Sequence, residues 1–211
     1  GNYPEEMKML YIGIELGTSS VKLALFDGHV ILRTARRSYP VYHPRDGWSE
    51  QNPEDWYAAV LSGIRELVRG LDACDIAGIS FSGQMHGLVT LDGDGKVLRR
   101  AILWNDGRSE EQAHRLNETP GESYLVEHTG NIAFAGFTAP KLLWMRENEP
   151  DLFARIDKVL LPKDYIAYRL TGRVATDVTD ASGTLLFDVK NRSWSQEMCE
   201  LCGVRKEWLP D

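Results

Sequence analysis

Cysteine is scarce in this chain. Cys74, Cys199 and Cys202 are the only three in 211 residues. That is too few for a disulfide scaffold and suits a reducing compartment, so a cytoplasmic location is expected. Long apolar runs are missing as well. No stretch approaches the roughly 18 residues of a membrane-spanning helix, so no membrane partner is expected. Cations are outnumbered: 24 Lys and Arg stand against 31 Asp and Glu, for a formal charge of −7. Nucleic acids and anionic membrane surfaces attract clustered Lys and Arg, so neither is an expected partner, although a local basic site for a phosphate remains compatible. The start, GNYPEEMKML, is acidic where a secretion signal is basic. Residues 1–8 are expected to be a tail or foreign remnant outside the fold, with Met7 or Met9 as candidate natural starts.

What is present is ordinary globular material, 43% hydrophobic and 26% charged, long enough for one large domain or two small ones. In YIGIELGTSSVKLALF (residues 11–26), Ile12, Ile14 and Leu16 alternate with smaller or polar residues, as do Val21, Leu23 and Leu25. Both runs predict strands. Asp27-Gly28 predicts a hairpin into a third. Asn52-Pro53 closes a polar loop and predicts a helix start, with Trp56, Val60, Leu61, Ile64, Leu67 and Val68 as its apolar face. DIAGISFSG reads as a fourth, buried strand. GLVTLDGDGKVLRRAILW reads as a hairpin turned at residues 92–95, with a short strand ending at Trp104. Helices are expected from Asp106 or Ser109, in FTAPKLLWMREN, in EPDLFARI, in KDYIAYRL up to Gly172, and in SQEMCELC. DKVLLP is a buried strand stopped by Pro162. This order predicts an α/β layered domain with a mixed sheet, its first three strands antiparallel, and helices on both faces.

Several short blocks could carry chemistry. The hairpin tip Gly17, Thr18, Ser19, Ser20 gathers amides and hydroxyls into a concavity that suits a phosphate, with Lys22 adding charge and Glu15 able to hold Mg²⁺ through waters. A polar turn that needs Gly for its geometry would look the same. SGQMHG offers Gln84 and His86 as donors and acceptors and Met85 as an adaptable wall, a mixture that suits a sugar as well as a strand-ending turn. In AILWNDGR, Trp104 could stack on a sugar, and Asn105 and Asp106 could bind hydroxyls, or Asp106 could cap a helix. Phe137, in GFTAPKLLW, could face a ligand or the core. Asp177 and Asp180, in TDVTDASGT, could pair at a metal or as a base, but aspartate in such a loop more often makes local turn hydrogen bonds. Cys199 and Cys202 form a C-x-x-C without a second pair, and read as packed thiols.

Taken together, IGIELGTSSVK, GQMHG, WNDGR, GFTAPKLLW, LPKDY and TDASGT resemble the N-terminal half of the xylulose-phosphorylating members of the FGGY carbohydrate kinase family. The resemblance runs from about Tyr11 to Asp211 and is most specific at GQMHG. It implies a ribonuclease-H-like, actin-like ATPase fold and an alcohol-accepting phosphotransferase of carbohydrate metabolism. The implied reaction converts ATP and D-xylulose to ADP and D-xylulose 5-phosphate, with Mg²⁺. Met85 and His86 match the pair that contacts the ketopentose, Gln84 and Trp104 line the same site, and Asn105 and Asp106 fall at a polar patch nearby. Gly17, Thr18, Ser19 and Lys22 match the hairpin that faces the ATP phosphates.

Two departures stand out. The family carries aspartate where this chain has Glu15, which moves the carboxylate out by one methylene. The resemblance also places the catalytic base in a GGGD-like segment, and no such segment occurs here. Residues 9–211 are therefore expected to be the sugar-binding domain, incomplete at its C-terminus and without the second, ATP-binding domain. Alone it is expected to be inactive and to self-associate, as a homodimer or otherwise, through its unpartnered face. A non-catalytic sugar-binding or regulatory module is the alternative, as is a kinase for another ketose or polyol.

Overall fold

The computed structural model describes residues 9–211. The expected tail, residues 1–8, lies outside the described residues. The elements are β1 Leu10–Leu16, β2 Ser20–Phe26, β3 Ile31–Ser38, β4 Glu50–Gln51, α1 Pro53–Leu67, β5 Ile76–Gly83, β6 Val89–Leu91, β7 Ala101–Ile102, α2 Glu110–Leu116, α3 Glu122–Thr129, α4 Thr138–Asn148, α5 Pro150–Phe153, β8 Lys158–Leu160, α6 Pro162–Thr171, α7 Val178–Ala181, β9 Phe187–Asp188, β10 Ser193–Trp194 and α8 Gln196–Cys202. They fall into two compact units, one of residues up to 40 with 54–83, the other of 41–53 with 84–211.

The first unit holds a four-stranded sheet in the order β3-β2-β1-β5. The first three strands form the expected antiparallel meander, and β5 joins β1 in parallel. Strand alternation sends Ile12, Ile14, Leu16, Val21, Leu23 and Leu25 inward, and Trp56, Val60 and Leu67 of α1 are buried with them. Gly63 permits this approach, because a Cβ there would stand 2.4 Å from Leu23 Cδ1. Two expectations change here. β5 is not buried: Ile79, Ser80 and Ser82 are exposed, because the strand lies at the edge of its sheet. The sheet face opposite α1, where a second helical layer is expected, leaves Tyr11 and Ile31 exposed among the described residues.

The second unit is built from helices and three two-stranded antiparallel ladders, β4–β7, β6–β8 and β9–β10. Its core includes Leu88, Ile102, Leu125, Leu142, Met145, Leu186 and Met198. α2 starts at Glu110 after Ser109, not at Asp106, whose carboxylate is engaged elsewhere. β7 ends at Ile102, two residues before Trp104. The ladder strand β4, the helix α3 and the β9–β10 hairpin escape the sequence pattern because each is short or weakly periodic. α6 stops at Gly172 and α8 at Gly203, both in the left-handed region. Cys199 and Cys202 are free and buried in α8, and burial pushes their thiols up to about 11 and about 12. They act as packed core residues, as expected.

Candidate functional site

In the first unit, strand register decides which side chains meet. Ser82, Glu15, Lys22 and Arg36 stand side by side across β5, β1, β2 and β3. The next row on that face is Ser80, Gly13, Ala24 and Thr34, all small. A groove of about 750 Å³ opens over these residues, with Glu15, Lys22 and Arg36 in its lining. The hairpin tip, residues 17–19, joins β1 to β2. Gly17 N–H donates to Ser20 O at 3.0 Å, and a Cβ at Gly17 would lie 2.8 Å from that oxygen, so the turn closes only without a side chain. The Tyr39 hydroxyl donates to the Gly17 carbonyl, and burial raises its pKa, keeping it a donor. Thr18 is half-buried and Ser19 exposed. Arg36, which motif reading passed over, donates to Ser20 Oγ at 3.0 Å and shares the face of Lys22. No local pattern marks it, because ILRTARRS shows no regular alternation and its place beside Lys22 comes from cross-strand register.

The other candidate group lies in the second unit, on loops from four motif blocks. Met85 is 53% exposed and Trp104 43%. Between β5 and β6, His86 takes a left-handed backbone (φ 63°), uncommon for a residue with a side chain. Its carbonyl accepts from Thr138 Oγ1 at 3.0 Å, and its ring lies 4.7 Å from that of Phe137. The Gly183 backbone lies against the same ring. Gly136 abuts the Trp104 carbonyl, where a Cβ would stand at 2.8 Å. Thus GQMHG, WNDGR, GFTAPK and DASGT converge. Phe134, also passed over by motif reading, is exposed and packs edge-on against Phe137 at 5.3 Å. Gln84 is largely buried and donates to Gln51 Oε1 at 2.9 Å, and Asn105 is exposed. His86 has its pKa lowered, first by burial and then by the Lys141 charge, with the Gly183 backbone and Asp180 opposing. The ring is therefore neutral near pH 7, able both to donate and to accept.

Asp106 departs from the reading of it as a hydroxyl ligand. It is 2% exposed, accepts from Ser49 N–H at 2.6 Å and Arg108 Nη2 at 2.7 Å through Oδ2, and from Arg108 N–H and Nε at 2.9 Å through Oδ1. Both oxygens hold the loop. The Arg108 guanidinium also stacks 3.8 Å from the Trp48 centroid and pairs with Glu50 at 3.2 Å. Lys141, wholly buried, donates to the carbonyls of Ala135, Gly136 and Phe137 at 2.8, 2.6 and 3.4 Å. Burial brings its pKa down to about 7, while Asp106 pulls the other way. Asp177 and Asp180 do not form an open carboxylate pair. Lys163 Nζ bridges them at 2.9 and 3.0 Å and donates to Asp164 at 2.7 Å. Asp177 also caps α7. Burial works against the Lys163 ammonium, but Asp164 and its neighbours outweigh it and its pKa is raised. Among the described residues no cluster of three or more His, Cys, Asp or Glu side chains suited to a metal occurs; the other carboxylate lining the groove of Glu15, Glu66, is paired with Arg37.

A mixed sheet opened by an antiparallel meander, and a cluster of donors and aromatics on the loops of the second unit, define an α/β domain with a candidate ligand site. The chain belongs to the FGGY family of carbohydrate kinases, whose N-terminal domain it matches over residues 10–211. It is 47% identical over 203 residues to the xylulose kinase of Bacillus subtilis (strain 168), covering 94% of this chain and 40% of that protein. The crystal structure of a xyloylose kinase from Brucella ovis matches with TM-score 0.90 at 43% identity, over 96% of this chain and 42% of the other. A gluconate kinase from Lactobacillus acidophilus matches with TM-score 0.91 at 30% identity, over 96% of this chain and 41% of the other. The chain therefore spans about two fifths of the length of the relatives it matches.

A pH effect follows from His86. Its folded pKa lies below the ordinary 6.5, so the unfolded chain binds the proton more readily. The His86 contribution to stability is intact above about pH 6.5 and is lost as pH falls through the folded value. An NMR titration of the His86 ring is expected to show a midpoint below 6.5, and a midpoint at or above 6.5 contradicts this.

Proposed function

We propose that the full-length protein phosphorylates D-xylulose with ATP, giving D-xylulose 5-phosphate, and that residues 9–211 supply its sugar-binding part. The observation that carries this reading is the packing of Phe137, Thr138 and Gly183 against His86, with Met85, Trp104 and Phe134 exposed in the same unit. A ketopentose has a hydroxylated edge and an apolar face, and such a mixture of donors and aromatic walls suits it. The 47% identity to a xylulose kinase favours that sugar. The gluconate kinase likeness means the fold alone does not choose it, so the loops must.

In this reading neutral His86 exchanges hydrogen bonds with sugar hydroxyls, Met85 and Trp104 form walls, and Asn105 offers an amide. Gln84 and Asp106 hold the loops in place. On the first unit, Lys22 and Arg36 present charge beside Glu15, and the tip residues Gly17, Thr18 and Ser19 suit the phosphates of ATP. When bound, ATP supplies the phosphoryl group and Mg²⁺ spreads its charge, so the protein's part is chiefly positioning and electrostatics. A single unpaired carboxylate fits Mg²⁺, which keeps several waters and takes one or two carboxylates along with phosphate oxygens. Glu15 would be that carboxylate. In this reading the general base belongs to the GGGD-like segment that the resemblance implies, which does not occur in these residues. A cytoplasmic setting suits the free thiols, and no helix of the described residues is long and apolar enough to cross a membrane. A second reading, a sugar-binding module without turnover, rests on Glu15 in place of aspartate.

Steady-state kinetics of the full-length protein test the assignment. His86→Ala is expected to raise the KM for D-xylulose by about tenfold or more, since an unpartnered hydroxyl costs about 1–3 kcal/mol. An unchanged KM for D-xylulose rules out the His86 assignment, and tighter binding of ribulose or glycerol by the unsubstituted protein rules out the substrate. Glu15→Asp is expected to raise turnover, by up to about 10²-fold if the extra methylene misplaces the metal by about 1 Å. Unchanged or reduced turnover means the site has adapted to glutamate. The 211-residue chain alone is expected to self-associate, because Tyr11 and Ile31 are exposed and the edge of β5 is open among the described residues. Light scattering should show mass rising with concentration, and a constant monomer mass contradicts it.

A further inference from the structure

We infer that Gly183 is a positioning residue for His86, its missing side chain being the space in which the imidazole sits. This deepens the proposed sugar site and rests on that reading. A Cβ built on Gly183 would stand 2.3 Å from His86 Cε1, 2.5 Å from Nδ1 and 3.6 Å from Nε2. These three nearest atoms all belong to the His86 ring. Contacts under 3.0 Å are not tolerated by a real Cβ, so one partner must move.

The backbone does not explain this glycine. Gly183 lies inside the turn Ser182–Thr184 and is absent from the left-handed glycines. In a helical turn alanine is ordinarily the better residue by about 1 kcal/mol. The ring beside it is what excludes a methyl group. Contact through Cε1 and Nδ1 also orients the ring. Nδ1 is buried on the Gly183 side of the ring, where the glycine backbone favours the protonated form, while Nε2 stands farther from the glycine. Phe137 packs on the ring, and Thr138 holds the His86 carbonyl, so the ring has little freedom to swing elsewhere.

The turn that carries Gly183 is itself anchored. Asn131 Nδ2 donates to Ser182 O at 3.1 Å, and Thr184 Oγ1 to Ala181 O at 2.7 Å. Lys163 ties the α7 carboxylates, Asp177 and Asp180, to Asp164 at the start of α6. The LPKDY and TDASGT blocks thus find a common purpose, holding a fixed wall against the imidazole.

The test is a double-mutant cycle in the full-length protein, read by calorimetric D-xylulose affinity, by KM against kcat, and by the NMR signals of the His86 ring. Gly183→Ala is expected to weaken sugar binding about 10- to 100-fold, to change kcat less than KM, and to shift the ring signals. His86→Ala/Gly183→Ala is expected to bind no worse than His86→Ala, because removing the ring removes the clash. Wild-type affinity and unmoved ring signals in Gly183→Ala overturn the inference, as do additive losses in the cycle. If Gly183→Ala fails to fold, the double variant is expected to fold; its failure also overturns the inference. If His86→Ala alone leaves affinity unchanged, the sugar assignment falls, while the ring signals still decide the positioning.

Discussion

A guanidinium with no exposed surface, that of Arg108, governs the loop architecture of the second unit. Its partners Asp106, Glu50 and Trp48 come from two chain segments far apart in sequence. A buried charge without its counter-charge is costly, and breaking such a pair typically costs about 3–5 kcal/mol. Asp106 therefore cannot be spent on a ligand. The same constraint sets Trp104 and Asn105, both exposed, immediately before a fixed anchor. Lys141 ties down the next loop, its buried amino group donating to three carbonyls just before α4.

These buried anchors make the exposed residues useful. A sugar is recognised by many weak hydrogen bonds, each worth about 1 kcal/mol net, so recognition depends on groups that are held before the ligand arrives. Met85, Trp104 and Phe134 are the exposed parts of loops whose backbones are tied down by Arg108, Lys141 and Thr138. His86 adds a left-handed backbone and a neutral ring. The carboxylate row of the first unit works by a different device. There, β-strand register, not buried ion pairing, puts Glu15 between Ser82 and Lys22.

Much of this was legible in the residue order. The opening meander, α1 with its Trp56 face, and the glycine stops of α6 and α8 follow from alternation, helical periodicity and turn chemistry. Packed thiols at Cys199 and Cys202, and local bonding for Asp177, were equally readable. The openness of β5 was not, because small and apolar residues suit an edge as well as a centre. Nor was the true partner of Asp106. A carboxylate after Trp and Asn looks like a ligand until Arg108, two residues on, is seen folding back over it.

The sequence by itself determined the local elements, the family to which the chain belongs and the set of residue types able to meet a sugar and a phosphate. These depend on near-neighbour patterns that survive in one dimension. Only the tertiary structure decided which members of that set are free. Arg36 joins Glu15 through cross-strand register, Phe134 emerges beside Phe137, and Asp106, Asp177 and Asp180 are consumed by buried cations. Gly183 gains its meaning from a ring nearly a hundred residues earlier. Such pairings are set by which charges must be neutralised away from water and by which atoms cannot share space, and neither is written in local order.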